Sequence, residues 1–157
     1  MAIDQERFGT DLRLLRNLDL TKSSRDPGSD LSTRVRTGTG QFDLDLYSKA
    51  DNLVQALLLR FLTPVGELAL LGHPDYGSRL FELIGELNSE TNRNRAKLFT
   101  LQALQAEPRV KEIRSVIVTQ GLNDRTRMDI RISLLPVDSD TLLNLVFPFF
   151  LERGIAT

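Results

Sequence analysis

The chain has 157 residues, of which 41% are apolar and 26% charged, and its formal net charge at pH 7 is −1. These values are typical of one globular domain and argue against wholesale disorder. Because there is no basic excess, we expect no general attraction for nucleic acid.

The residue types also narrow the chemistry that the chain can perform. It contains no cysteine and one histidine, His73, so disulfides, cysteine nucleophiles and a credible set of zinc ligands are excluded. We therefore expect neither a metal nor a cofactor. The longest apolar runs are shorter than a bilayer span, and the N-terminus lacks the layout of a signal peptide, so we expect a cytosolic protein without membrane contact.

The first 47 residues alternate weakly between apolar and polar side chains. Alternation with a period of two is typical of short strands, and clusters of Gly, Pro, Ser and Asp indicate the loops between them. The pattern predicts an arm that adds strands to a sheet or covers a partner. The predicted strands are residues 11–14, 18–20, 33–36 and 42–46, with breaks at 22–29 and 37–40.

Residues 48–63 predict a helix that is buried on several sides. Ser48 followed by Asp51 resembles a capping box in which Asp replaces the usual Glu or Gln. The following stretch is apolar around most of a helical circumference, so the helix must pack against several neighbours. Pro64 marks its end, because the residue before a proline avoids helical geometry.

A turn-rich connection and a second helical pair follow. Residues 65–76 indicate an irregular loop, because glycines and Pro74 interrupt them. Residues 78–85 predict a short helix, and a longer helix is predicted from Asn88 or Thr91 to Ala106, ended by Pro108. The short helix should turn Leu80, Phe81, Leu83 and Ile84 inward. The longer helix should present Ala96, Phe99 and Ala103 on one stripe, with Leu98, Leu101 and Leu104 beside it.

The remaining chain predicts an antiparallel sheet. Residues 113–119 are rich in β-branched side chains, residues 121–124 indicate a turn, and residues 128–134 alternate cleanly, which predicts a hairpin with one buried face. Residues 142–151 are strongly apolar, and Pro148 places this strand at the edge of the sheet. The fold class is therefore α+β, in one domain: an N-terminal arm (residues 1–47) and the main domain (residues 48–157).

The most informative feature is a set of short motifs in a fixed order. Motifs in this order and at this spacing resemble the small baseplate-wedge family, often labelled lysozyme-like. That family occurs in contractile phage tails, type VI secretion baseplates and extracellular contractile injection systems. The resemblance covers about residues 48–150, and it rests on Thr63-x-x-Gly66-Glu67, Pro74-x-Tyr76-Gly77, a helical stretch and Glu107-Pro108-Arg109-Val110.

The resemblance implies a structural subunit without enzymatic activity. Such a subunit links baseplate wedge proteins, starts the sheath by strand exchange with tail-sheath subunits, and is present in several copies in a sixfold baseplate. It is assembled in the cytoplasm and becomes part of a phage tail-like or injection particle. The partner-binding residues that the resemblance implies are Glu107, Pro108, Arg109, Gly66, Glu67, Pro74, Tyr76 and Gly77, with Leu145, Phe147 and Phe149 on the sheath-facing strand.

Glu107 and Arg109 flank a proline at the junction of a helix and a strand, which restricts their separation. A carboxylate and a guanidinium held in this way can pair with each other, or each can bind the opposite charge on a partner chain. An ordinary solvated pair at a helix end, which contributes about 0–1 kcal/mol, is the third reading of the same residues.

A peptidoglycan-degrading muramidase is the alternative function. Glycoside hydrolysis needs two carboxyl groups at the scissile bond, and Glu67 and Asp75 could supply them. The chain has no tryptophan and only two tyrosines, so it offers few aromatic platforms for a carbohydrate polymer. A small adaptor protein unrelated to tails is a further hypothesis.

Overall fold

The computed structural model of the chain describes residues 8–14, 31–137 and 139–152. Within these ranges the fold is α+β, as predicted, and neither α-helix is long and apolar enough to cross a membrane. The predicted strand at 18–20 and the break at 22–29 lie outside the described residues. The elements are β1 (Thr10–Leu12), β2 (Thr33–Val35), β3 (Phe42–Leu44), β4 (Leu46–Ser48), α1 (Lys49–Leu62), α2 (Glu90–Gln105), β5 (Val110–Gln120), β6 (Arg127–Pro136) and β7 (Leu143–Phe150), with 3₁₀ turns at Ala69–Leu71 and Leu80–Leu83.

A three-stranded antiparallel sheet forms the C-terminal half, in the order β5-β6-β7. The predicted hairpin is β5 and β6, and β7 is an edge strand, so both predictions are confirmed. One face of β6 is dry because every second side chain points into the core. The buried side chains of that face are Met128, Ile130, Ile132 and Leu134.

The core lies between this inner sheet face and the helices. Leu53, Leu57 and Phe61 of α1 are buried, and the Phe61 ring lies 5.5 Å from the Phe147 ring of β7, centroid to centroid. Each fully buried side chain of this size stabilises the fold by about 1.5–3 kcal/mol. From α2, the predicted positions Ala96, Phe99, Ala103 and Leu104 are buried.

Two details of the predicted helices are wrong. Residues 80–83 form a 3₁₀ turn, in which side chains three apart are eclipsed, so Leu80 and Leu83 point inward while Phe81 is 39% exposed. Leu98 was expected beside the buried stripe of α2 but is 51% exposed. It lies next to Phe99, and neighbouring residues on a helix face different directions.

The predicted capping box of α1 does not form. Ser48 is the N-cap residue, but its side chain makes no capping hydrogen bond. Lys49 has a φ of 58°, so the backbone passes through the left-handed region at the first residue of the helix. Ser89 does cap α2, because its Oγ accepts a hydrogen bond from the Asn92 amide at 3.2 Å.

Two amide side chains of α1 hold the described part of the N-terminal arm. Asn52 Nδ2 donates to the Phe8 carbonyl at 2.7 Å, and Gln55 Nε2 donates to the Leu12 carbonyl at 2.8 Å. Gln55 Oε1 also accepts from the Leu14 amide at 2.8 Å. The arm forms the antiparallel pairs β1–β4 and β2–β3. The boundary at residue 47 stays a prediction.

Residues 63–78, hereafter the closed loop, leave α1 and return to it. The Val65 amide donates to the Ser78 carbonyl at 3.0 Å, and the Ser78 amide donates to the Thr63 carbonyl at 2.9 Å. Gly77 makes this closure possible. Its φ is +114°, and a Cβ atom there would lie 2.5 Å from the Thr63 carbonyl oxygen, against backbone that cannot move aside.

Gly77→Ala should therefore destabilise the protein by about 3 kcal/mol or more, because both the positive φ and the backbone clash oppose the new methyl group. The measurement is the free energy of unfolding from urea denaturation. Gly72→Ala is the matched control, since Gly72 also has a positive φ of +87° but an added Cβ meets nothing within 4 Å. We expect it to cost only about 1–2 kcal/mol; equal losses at both glycines would contradict the role of the close approach.

Candidate functional site

Glu107 occupies the centre of a cluster of charged side chains beside the end of α2. Its side chain is only 5% exposed, and each carboxylate oxygen has its own guanidinium partner. Oε1 accepts from Arg109 Nε at 2.6 Å, and Oε2 accepts from Arg60 Nη2 at 3.2 Å. Arg60, Tyr76, Glu107 and Arg109 are hereafter the arginine–glutamate cluster.

The backbone around Pro108 fixes the geometry of Glu107 and Arg109. The Glu107 amide still donates to the Leu104 carbonyl at 3.2 Å, so Glu107 continues the last turn of the helix. Two residues later the Arg109 carbonyl accepts from the Val137 amide at 2.9 Å, which joins the chain to the end of β6. Pro108 lies exposed between these anchors. The motif thus forms a short rigid corner between a helix and a sheet.

Tyr76 covers the buried arginine of the cluster. The guanidinium carbon of Arg60 lies 4.5 Å from the centroid of the Tyr76 ring, within the range of a cation–π interaction. Tyr76 comes just before Gly77, so the tight closure of the loop determines where the ring lies. The cluster therefore connects three parts of the chain: the last turn of α1, the end of the closed loop and the corner after α2.

Electrostatics keep Glu107 ionised despite its burial. Burial raises the pKa of this carboxyl group, but the hydrogen bond from Arg109 and the positive charges of Arg109 and Arg60 together outweigh it, and the pKa lies below its ordinary value. Two guanidinium groups then share one carboxylate, which leaves the cluster with one excess positive charge. The Arg109 side chain is 31% exposed, so part of this charge faces solvent.

Only some of the partner-binding residues that the resemblance implies lie together in the structure. Tyr76, Glu107 and Arg109 meet in the cluster, and Gly77 supports it. Gly66, Glu67 and Pro74 lie on the exposed part of the closed loop. Of the three interpretations of Glu107 and Arg109, the structure shows the one in which the two residues pair with each other. The carboxylate is buried, so the interpretation as a solvated pair is wrong. Binding of a partner by these residues stays a prediction.

The three predicted residues of β7 lie on its inner face. Leu145, Phe147 and Phe149 are between 1% and 8% exposed, so their side chains belong to the core of the folded chain. The outward-facing residues of the strand include Asn144 and Val146, which are exposed. Contact between this strand and a partner would therefore use the backbone edge or these outward side chains, and it stays a prediction.

Arg60 is the member of the cluster that the sequence analysis missed. A signal was present, because Arg60 is a lone cation between Leu57, Leu58, Leu59 and Phe61 in a helix predicted to be buried. Arginine is almost never fully buried without a paired charge, so such a position calls for a carboxylate elsewhere in the chain. The pattern does not say which carboxylate supplies it.

The proposed catalytic carboxylates lie in an unfavourable setting for glycoside hydrolysis. Glu67 and Asp75 are both exposed on the closed loop. An open groove of about 470 Å³ lies elsewhere, around the start of α2 and the turn after β5, and neither residue lines it. The described residues also contain no group of three His, Asp or Glu side chains that could hold a metal ion.

Comparison with solved structures shows a similar fold in a known protein. No protein-family model matches the sequence, and no curated protein does. A crystal structure from Geobacter sulfurreducens, described as a "putative tail lysozyme", superposes with a TM-score of 0.59 and 24% sequence identity, over 69% of this chain and 97% of the other. At this identity the match establishes a shared fold. The protein that shares this fold has a name that refers to a tail.

Glu107→Gln should destabilise the protein by about 3–5 kcal/mol at pH 7, because it leaves the buried Arg60 without a charged partner. The measurement is the free energy of unfolding as a function of pH. In the wild type this contribution is complete above the ordinary carboxyl pKa of about 4.3 and is lost as the pH falls through the lower pKa of the folded state.

The difference between wild type and variant should therefore shrink as the pH is lowered below that value. Asp45 and Glu82 also have lowered pKa values because of hydrogen bonds from Arg13 and Arg79, but both proteins retain these pairs, so their effects cancel. A difference that stays constant down to pH 2 would contradict this account of Glu107.

Proposed function

We propose that the chain is a structural baseplate subunit of a contractile tail or injection machine, which links wedge proteins and initiates the sheath by strand exchange. The arginine–glutamate cluster is the observation that carries the proposal. The fold shared with a protein named for a tail supports it at the coarser level of a tail-related protein. In this proposal the chain acts by binding and has no catalytic role.

The cluster suits the binding of a partner because it is rigid and carries excess charge. Glu107 uses both oxygens within the chain and so positions the two arginines rather than contacting a partner itself. Arg109 donates through Nε, and its partly exposed guanidinium can add a carboxylate from a wedge protein. Pro108 projects beside it from the same corner and gives the surface a fixed shape.

The two edges of the sheet differ in a way that favours strand exchange at β7. The pairing of β5 is interrupted between Val110 and Glu112 and again between Ile113 and Ser115, and this strand carries exposed charges, which are features that protect an edge. The pairing of β7 with β6 runs without a shift from Leu143 to Phe150. Pro148 offers no N–H, so an added strand would bond mainly to the part of β7 before it.

In the assembled state we expect multiple copies around a sixfold baseplate, with wedge proteins on the cluster and sheath subunits on β7. The chain would be cytoplasmic during assembly and then part of the particle. Neither nucleic acid nor a membrane is among the proposed partners.

Arg109→Ala should give a folded protein that fails to enter the baseplate. Glu107 keeps Arg60 as a partner in this variant, so the fold survives, while the partly exposed guanidinium is lost. The measurement is recovery of the protein in tail-like particles after co-expression with the baseplate and sheath genes of the same genome, together with electron microscopy of those particles.

Arg114→Ala is the matched control, because Arg114 is another arginine paired with a glutamate in the chain, Glu112, but lies outside the cluster. We expect normal particles from it. Intact baseplates that contain Arg109→Ala in normal amounts would refute the proposed role of the cluster.

A muramidase remains a second candidate, because the structural neighbour carries the name of a lysozyme. We expect the purified protein to leave a suspension of peptidoglycan turbid, since Glu67 and Asp75 are exposed, whereas the acid of a glycosidase lies in an apolar pocket that raises its pKa. The measurement compares the wild type with Glu67→Gln and Asp75→Asn. Clearing by the wild type that either substitution abolishes would favour the enzyme over the structural role.

A further inference from the structure

The outer face of the three-stranded sheet carries an arginine with no partner in the described chain. In the cross-strand register, Arg131 of β6 lies between Ile117 of β5 and Val146 of β7. Ile117 and Val146 are 53% and 55% exposed, and Arg131 is also exposed. Among the described residues no hydrogen bond, ion pair or aromatic ring engages the Arg131 guanidinium.

A polar row borders this arginine on one side. Ser115, Ser133 and Asn144 lie opposite one another on the three strands, two residues from the row of Arg131. A shallow groove of about 320 Å³ follows the two rows, and its lining includes Ser115, Arg131, Ser133, Asn144 and Val146. The groove thus combines one guanidinium, two hydroxyls and an amide with the exposed side chain of Val146, and exposed Ile117 lies beside Arg131 on the neighbouring strand. Arginine is enriched at protein interfaces relative to the rest of the surface.

Three charged side chains of β6, Arg127, Asp129 and Arg131, lie on this face. On β6, Arg127 and Asp129 form an ion pair at 2.6 Å, and Asp129 lies two residues from Arg131 on the same face. Because Asp129 is already paired with Arg127, these three residues carry one excess positive charge. An occupant of the groove should therefore be acidic opposite Arg131 and apolar opposite Ile117 and Val146.

We propose that this outer sheet face is a second docking surface, which receives an acidic segment of a neighbouring tail protein. A carboxylate of that segment pairs with Arg131, and flanking apolar side chains cover Ile117 and Val146. The inference rests on the proposed function, because the assembled particle supplies the partner. It differs from strand exchange, since it uses the face of the sheet rather than the backbone edge of β7.

A second copy of this chain fits the face poorly. Most homodimers are related by a twofold axis, which would place the same positive face against itself and bring like charges together. A free anion also fits poorly, because it would leave the apolar flanks uncovered. A protein segment with a carboxylate between apolar residues satisfies both requirements.

The first test uses the absence of natural cysteine. Val146→Cys introduces a unique thiol on the outer face, and its rate of modification by a maleimide is compared in the isolated chain and in purified particles. We expect rapid modification in the isolated chain, close to that of Leu122→Cys, whose parent residue is 98% exposed in the turn after β5. In particles we expect modification at Val146→Cys to be at least about tenfold slower, because interface cores exclude water.

The second test identifies the acidic partner. Arg131→Lys places an amine where the guanidinium lies, and a water-soluble carbodiimide joins amines to carboxylates only when they are in contact. We expect mass spectrometry of treated particles to show residue 131 linked to an Asp or Glu of another tail protein. Arg114→Lys is the control for an exposed amine on a neighbouring strand, and we expect no such link from it.

The third test measures how much of each variant is incorporated into particles. Arg131→Gln should lower incorporation into particles by about tenfold or more, while Arg131→Lys retains part of it and Arg114→Gln retains all of it. Circular dichroism of each isolated variant verifies that it is folded.

The outcomes separate this inference from the proposed function. Particles that contain the chain but modify Val146→Cys at the rate of the isolated chain, or that incorporate Arg131→Gln normally, overturn this inference alone. Slow modification in the isolated chain, or a link from residue 131 to a residue of the same chain outside this sheet, shows that the chain covers the face itself and also overturns the inference. Absence of the chain from every particle overturns both proposals.

Discussion

The buried carboxylate of Glu107 ties the first helix to the last third of the chain. It lies between Arg60 of α1 and Arg109 at the start of the sheet, and a buried ion needs a charged partner to offset the loss of water. Because each oxygen has its own guanidinium, this one carboxylate joins the last turn of α1 to the corner after α2, and the Tyr76 ring packs on the same buried arginine. The tripeptide thus stabilises the fold in the first place, and the binding role proposed for it depends on the arginine that it positions.

Different parts of the sheet likewise have different roles. Its inner face is filled by the core, so the contacts proposed above use the edge of β7, the outer face around Arg131 and the corner at Arg109. One strand contributes to two of them, since the inward residues of β7 hold the strand in place while its backbone and Val146 face outward. A subunit built in this way can contact several different partners at once without rearranging its core.

The predictable parts of the fold are those in which a single local rule determines the structure. Met128, Ile130, Ile132 and Leu134 alternate because an antiparallel sheet has one dry face, and Pro148 requires an edge. The partners of Arg60, Asn52 and Gln55 were not predictable. Arg60 and Glu107 are 47 residues apart in sequence, and only the folded chain brings them together. Phe81 was misplaced because a 3₁₀ turn and an α-helix orient the same residues differently.

The amides of Asn52 and Gln55 have a consequence for how the N-terminal arm can change over evolution. Both side chains bind main-chain groups of the arm, the carbonyls of Phe8 and Leu12 and the amide of Leu14. Every residue type carries these carbonyls, and every type except proline carries the amide. Most substitutions in the arm therefore leave its anchorage unchanged. Related proteins could diversify that region to suit new neighbours while the two amides on the helix keep it attached.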